Sequence, residues 1–412
     1  MQRIEAKQIG ALIGKGSKIV VAPGCGTPTT LLCAIRDHAN ELRGSTLYSG
    51  LLLGEYSFIA AVEAGIINYK TWHIMPPIRK LLKQGKVGFY PLRASQIPGL
   101  IEHLQPDVAL IRVSPPNAAG KCNLGPSVSY SPAAINTAKC VIAEIDENLP
   151  CISGDGEIST DEIDAFIESQ APTPTYPRTH ADEISRTVAN NIIGILPKSP
   201  TLQIGIGAIP EALVEILGEL GIGDLRFAGM ATEGMADLYD KGLLSVDGPA
   251  ILAAELMGGE RLMRFAHDNP AVEMRDARKA INPIYLSQIE RFVSINSSIE
   301  VDFTGQVNSE VVGGSQISGV GGSFDFVEAA LHSPGGVRIL AMTAKNARDQ
   351  SDKIVPHLAA GTPVTLPRHS VDYVVTEHGV ARLGFATVDE RIKALSRIMV
   401  PAGCEEELQC TA

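Results

Sequence analysis

The chain has 412 residues, of which 45% are hydrophobic, 20% charged and only 5% aromatic, with 40 glycines and 26 prolines. That length exceeds one ordinary domain and the composition is that of a turn-rich α/β protein, which sets aside a disordered chain and a β-sandwich. With 46 acidic against 35 basic residues the net charge is −11, which argues against a general nucleic-acid or anionic-membrane surface but leaves room for one local basic pocket.

The elements alternate from the start. Residues 4–14 read as a short helix feeding an apolar strand at 18–22. The turn Pro23-Gly24-Cys25-Gly26-Thr27-Pro28 follows, and then a helical pattern over 29–42. In open α/β sheets, ligand sites form at such strand ends. A second strand over 46–53 leaves through Gly54-Glu55-Tyr56-Ser57. Further strands are expected at 87–90, 108–113 and 140–145, with helices near 77–84, 95–104 and 131–139. This βαβα order argues for a mostly parallel sheet.

The proline- and threonine-rich run at 169–183, without apolar periodicity, reads as a connector. We therefore expect an N-terminal α/β domain over 1–170, a linker over 171–183 and a C-terminal α/β domain over 184–412. The alternation restarts with a helix over 184–195 and a strand over 202–206. Later strands are expected at 250–256, 291–295 and 337–342.

Seven scattered cysteines without a CxxC pair suit neither a disulfide framework nor a zinc site, so reduced thiols and no metal are expected. The first twenty residues carry charge through their apolar positions, unlike a signal peptide. No apolar run reaches membrane-spanning length. A soluble, cytoplasmic protein is the expectation.

The informative stretch is 201–237. An apolar strand ends in Gly205-Ile206-Gly207-Ala208-Ile209-Pro210, and a helical pattern carries Ala212, Leu213, Ile216 and Leu217 on one face. Strand, glycine turn and helix together form a phosphate-approaching device, because glycine lets the backbone close in and a helix N-terminus favours an anion. Plain α/β packing uses the same turn. A second glycine cluster, Gly319-Val320-Gly321-Gly322, suggests a second backbone wall of one site.

Several motifs then combine. They are the GIGAIP turn, Ala236-Asp237-Leu238-Tyr239, Met257-Gly258-Gly259, residues 295–306, Ser318 to Gly322, Lys353-Ile354-Val355-Pro356, and the DYVVTEHG run at 372–379. The first half adds Gly54-Glu55-Tyr56-Ser57, Ser114-Pro115-Pro116 and Ala143-Glu144. Through these the chain resembles the acetyl-CoA hydrolase/transferase family, and within it the 4-hydroxybutyrate CoA-transferases.

The resemblance implies two similar open α/β domains with mostly parallel sheets and an active site in the cleft between them. It implies coenzyme A or acyl-CoA as substrate, a small carboxylic acid as second substrate, and a homo-oligomer. Gly205, Ile206, Gly207, Ala208, Ile209, Asn296, Gly322 and Lys345 then match CoA-binding positions. The backbone N–H groups of Ile206, Gly321 and Gly322 would serve as oxyanion donors. In this family a glutamate attacks the thioester, passing through an anhydride and a glutamyl-CoA thioester while water is excluded.

At the nucleophile the sequence departs from the pattern. With Asp237-Leu238 anchoring the register, Gly229 falls where that glutamate belongs, and Glu233 on the position of an ordinary Asp. Three readings stay open. Glu233 takes over as nucleophile, although it lies four residues on, about 13 Å of extended chain. Alternatively, the CoA cradle and oxyanion hole remain without ping-pong transfer, leaving a hydrolase, a lyase or decarboxylase, or an acyl-transfer enzyme. Or the chain binds acyl-CoA without chemistry, or receives its catalytic group from a partner subunit.

Glu55, Cys25 and Asn117 sit at strand-end loops and are candidates for the substrate pocket. For Cys25 a packed small side chain is the plainer reading, and for Glu55 a loop salt bridge. The acyl group stays open among butyryl, 4-hydroxybutyryl and small dicarboxylic groups such as itaconyl.

Overall fold

A computed structural model describes residues 1–400. By packing, the chain divides into two units. The first comprises Met1–Arg178, Gly229–Glu233 and Ile251–Ala280, and the second the remaining segments, with the first break inside the proline-rich connector.

The first unit is built on an eight-stranded sheet in the order Gln2–Arg3, Ala165–Glu168, Cys140–Ile145, Val108–Val113, Lys18–Val21, Thr46–Ser49, Asn68–Thr71 and Val87–Phe89. Every neighbouring pair is parallel. Parallel strands are covered on both faces, which is why Val108–Val113 reads as an unbroken apolar run and is buried throughout. Its one charge, Arg112, is fully buried and paired. Helices such as Thr29–Asp37, which buries Leu31, Leu32, Ala34 and Ile35, bring their apolar stripe into the same core.

In the second unit the strands run Gly379–Arg382, Tyr373–Thr376, Val337–Ala341, Phe292–Asn296, Thr201–Ile204 and Arg226–Thr232. All pairs are parallel except the antiparallel edge formed by Tyr373–Thr376 and Gly379–Arg382. Strand Arg226–Thr232 crosses the division, its last residues grouping with the first unit. There its neighbour is Ile251–Met257, which pairs in parallel with Val272–Met274 and through it with Ser153–Gly154.

Most strands lie within a residue or two of the sequence expectation, and Val108–Val113 and Cys140–Ile145 coincide with it. The helix expected from Glu211 begins three residues earlier and spans Ala208–Glu219. Proline is compatible with the first turn of a helix, where its missing N–H has no partner to lose, so Pro210 does not delay the start. Strand Arg226–Thr232 was not foreseen as a strand, because Gly229 breaks its apolar pattern. Among the described residues no helix is long and apolar enough to cross a membrane. Cys404 and Cys410 lie outside the described residues, and the other five cysteines are free thiols.

Candidate functional site

In the second unit, strand Thr201–Ile204 ends in Gly205-Ile206-Gly207 and helix Ala208–Glu219 starts at once. Gly207 is the N-cap, with φ 131 and ψ 178, a conformation essentially confined to glycine. A Cβ placed on Gly205 or Gly207 would meet nothing within 4 Å. The turn is therefore open-faced, and its glycines serve backbone shape and approach rather than internal packing.

Ile204 pairs with Ile295 on the adjacent strand, which brings Asn296 level with Gly205. The Asn296 amide donates to the Gln203 side-chain oxygen at 3.2 Å, fixing its orientation. The second glycine cluster also feeds a helix, Ser323–His332, with Gly321 at φ +65 and Gly322 as N-cap. A Cβ on Gly322 would lie 2.8 Å from the Phe326 ring, so packing excludes a side chain there. Lys345 is half-exposed, its Nζ 3.9 Å from Asp352 Oδ1.

In the first unit Gly229 is buried within its strand at φ 95. Glu233 opens helix Glu233–Asp240. Its Oε1 accepts the Gly259 N–H at 3.0 Å, and Gly259 is the N-cap of helix Glu260–Ala266. This carboxylate thus caps a neighbouring helix, a stabilising position for negative charge.

Cys25 is fully buried. Its thiol donates to the Gly258 carbonyl at 3.9 Å, and burial pushes its pKa up to about 12, further supported by the nearby Glu255. A thiol so held stays protonated and is no nucleophile. Glu55 is exposed in its loop. Asn117 is exposed as well, and its side-chain oxygen accepts N–H bonds from Ala119 (2.9 Å) and Lys121 (3.0 Å).

Two carboxyls stand at the turn Pro23–Pro28: Glu144, from the Ala143-Glu144 motif, and Glu255, which the motif reading passed over. Glu144 accepts from the Thr30 and Leu31 N–H groups at 2.8 and 3.2 Å and from the Thr30 and Ser169 hydroxyls at 2.9 and 2.7 Å. It also lies 3.1 Å from Arg112, which pairs with Asp146 at 2.7 Å. Glu255 lies on the other side. A Cβ on Gly24 would sit 2.5 Å from Glu255 Oε2 and 2.8 Å from Ser127 Oγ. That Oε2 is buried and has no hydrogen-bond partner. Burial pushes the Glu255 pKa up to about 7, against the opposing pull of the Ser127 and Ser129 hydroxyls. The signal was in the sequence: one acid inside an otherwise apolar strand, Ile-Leu-Ala-Ala-Glu-Leu-Met.

The description acetyl-CoA hydrolase/transferase N-terminal domain matches residues 2–177, and that of the C-terminal domain residues 258–410. The chain belongs to the acetyl-CoA hydrolase/transferase family. It is 32% identical to the 4-hydroxybutyrate coenzyme A transferase of Clostridium kluyveri over 97% of this chain and 94% of that protein. It is 30% identical to the butyryl-CoA:acetate CoA-transferase of Anaerostipes caccae, over 91% of this chain and 88% of the relative. The crystal structure of RipA from Yersinia pestis superimposes with a TM-score of 0.92 at 26% identity, covering 99% of this chain and 96% of the other.

Proposed function

We propose that the protein binds a short-chain acyl-CoA and transfers its CoA to a small carboxylic acid. The observation that carries this reading is the open glycine turn, Gly205 to Gly207, ahead of helix Ala208–Glu219. Its backbone is bare where a ligand would approach, and a Cβ at either glycine would meet nothing within 4 Å. The relatives named above supply the reaction class. In this reading Gly205–Ile209, Asn296, Gly322 and Lys345 hold CoA, and the N–H groups of Ile206, Gly321 and Gly322 stabilise the tetrahedral oxyanion.

The test is a transfer assay with acetyl-CoA as donor and butyrate, 4-hydroxybutyrate, succinate or itaconate as acceptor, following the new acyl-CoA by chromatography. New acyl-CoA without free thiol supports transfer. Free CoA thiol formed at a rate indifferent to the acceptor would replace it with hydrolysis. One observation favours that second reading: position 229 has no side chain, and one oxygen of Glu233 is held by a helix N-terminus.

A further inference from the structure

Glu255 differs from the other acids of its surroundings. Glu144, at the same turn, has both oxygens paired. Glu255 keeps part of its surface while its Oε2 is buried and unpaired. A carboxyl kept for structure alone is expected to have its lone pairs satisfied, because a buried orphan acceptor is destabilising. The residues around it pack so closely that only glycine fits beside it. Gly24 and Gly26 present no side chain, and a Cβ on either would lie 2.8 Å from Ser127. The Gly26 N–H also holds Ser127 Oγ at 3.0 Å.

Sheet geometry explains which backbone stands beside the position. At the start of Ile251–Met257 the neighbouring strand is Arg226–Thr232, whose Phe227 N–H donates to Ala250 O at 2.7 Å. Further along the same edge the partners change. Val128 and Ser129 N–H groups donate to Ala254 O at 3.1 and 3.2 Å, and Leu256 N–H donates to Pro126 O at 2.8 Å. The segment 126–129 has taken the edge, and Glu255 bridges Ser127 there. Gly229, with φ 95, stands on the strand that has given way.

We propose that Glu255 is the nucleophilic carboxylate of this enzyme, replacing from the adjacent strand the side chain that position 229 lacks. The proposal rests on the acyl-CoA reading above. A Glu255 oxygen attacks the thioester carbonyl carbon, the C–S bond breaks, and CoA leaves as thiolate, giving a mixed anhydride. The thiolate attacks the Glu255 carbonyl of that anhydride and expels the donor carboxylate, leaving a glutamyl-CoA thioester. An acceptor carboxylate attacks this thioester and frees the thiolate, which then takes the acceptor acyl group and restores the Glu255 carboxylate. No oxidant and no net proton is required. Partial desolvation favours the attack, since a poorly hydrated carboxylate of raised pKa is the stronger nucleophile.

The full-length protein, incubated with acetyl-CoA and acid-quenched, is digested and its peptides are weighed. A CoA thioester is expected on Glu255. Glu255→Gln should lose the adduct and lower transfer by at least about 10³-fold, while isothermal titration shows CoA still bound. Glu255→Asp keeps the charge but withdraws it by one methylene, and its residual transfer should carry the adduct on the new carboxylate. An adduct on Glu233 or any other residue, or transfer that survives Glu255→Gln, overturns the proposal and leaves the acyl-CoA reading in place. Failure of the wild-type protein to bind or turn over any acyl-CoA overturns both.

Discussion

Two glycine turns, Pro23–Pro28 and Gly205–Pro210, use the same local device, and the structure closes one and leaves the other open. Each ends an apolar parallel strand and starts a helix whose N-terminus attracts negative charge. At the first, the protein supplies the anion itself: Glu144 arrives from a neighbouring strand and takes the Thr30 and Leu31 N–H groups, with buried Arg112 behind it. At the second no Cβ would be obstructed at either glycine. What separates a packing turn from a ligand turn is which side chains other strands bring to it, and the turn itself does not encode that.

Removing the internal anion is expected to have the largest effect. Glu144→Ala would leave Arg112 with Asp146 as its one paired carboxylate and two helix N–H groups without their acceptor. Breaking one partner out of such a buried set costs about 3–5 kcal/mol. Urea unfolding should show the midpoint falling accordingly, with acyl-CoA affinity of the remaining folded protein unchanged. A small stability loss coupled to a large loss of CoA binding would mean that the first turn, too, is a ligand site.

The next effect concerns Glu255, on the other side of the first turn. The folded protein holds its proton to about pH 7, against 4.5 for an ordinary glutamate. Between those values the fold binds more protons than the unfolded chain, so stability falls as pH rises through that window. The titratable groups facing it stay neutral there, since the Cys25 thiol is pushed up to about 12 and the Tyr130 phenol well above 10. Glu255→Gln should therefore stabilise the protein at pH 8 by up to about 3 kcal/mol and change little at pH 4. Thermal midpoints across pH 4 to pH 8 read this directly. A flat difference between variant and wild type would mean the carboxyl is as well solvated as Glu55.

The third test acts on the open turn. Gly207→Ala forces a side chain into φ 131, where the backbone penalty is about 1–3 kcal/mol although no atom obstructs the methyl. The expected outcome is a modest loss of stability and a large loss of CoA affinity by titration, because the backbone path past the ligand changes. Equal, modest effects on both would reduce this turn to the packing role of the first.

Much of this was legible in advance. The alternation of strand and helix, the parallel sheets and the family resemblance all rest on local periodicity and motif order, which a sequence records. The first helical turn at Ala208 was not legible because the one-face apolar spacing starts only at Ala212, and it is the fold that places Pro210 inside that turn. The Arg112–Glu144–Asp146 set was not legible, since its members come from two strands and pair only in three dimensions. Glu255 was visible as a lone acid in an apolar strand, but its unpaired oxygen depends on the 126–129 segment displacing a neighbouring strand. Glu233 looked free to act, and only the fold shows its Oε1 held by Gly259 N–H.

The smallest effect separates loop building from substrate contact at a third strand end, beyond Val108–Val113. Asn117 shapes its own turn by accepting the Ala119 and Lys121 N–H groups in an exposed loop. Water can replace such acceptors, so Asn117→Ala should lower stability by only about 0.5–1.5 kcal/mol. Asn117→Asp keeps the acceptor geometry and should restore most of that loss, while kcat and the KM for the carboxylic acid stay at wild-type values in both. If the KM rises several-fold in Asn117→Ala without a matching fall in the unfolding midpoint, the side chain touches substrate, and this strand end joins the open turn as part of the binding surface.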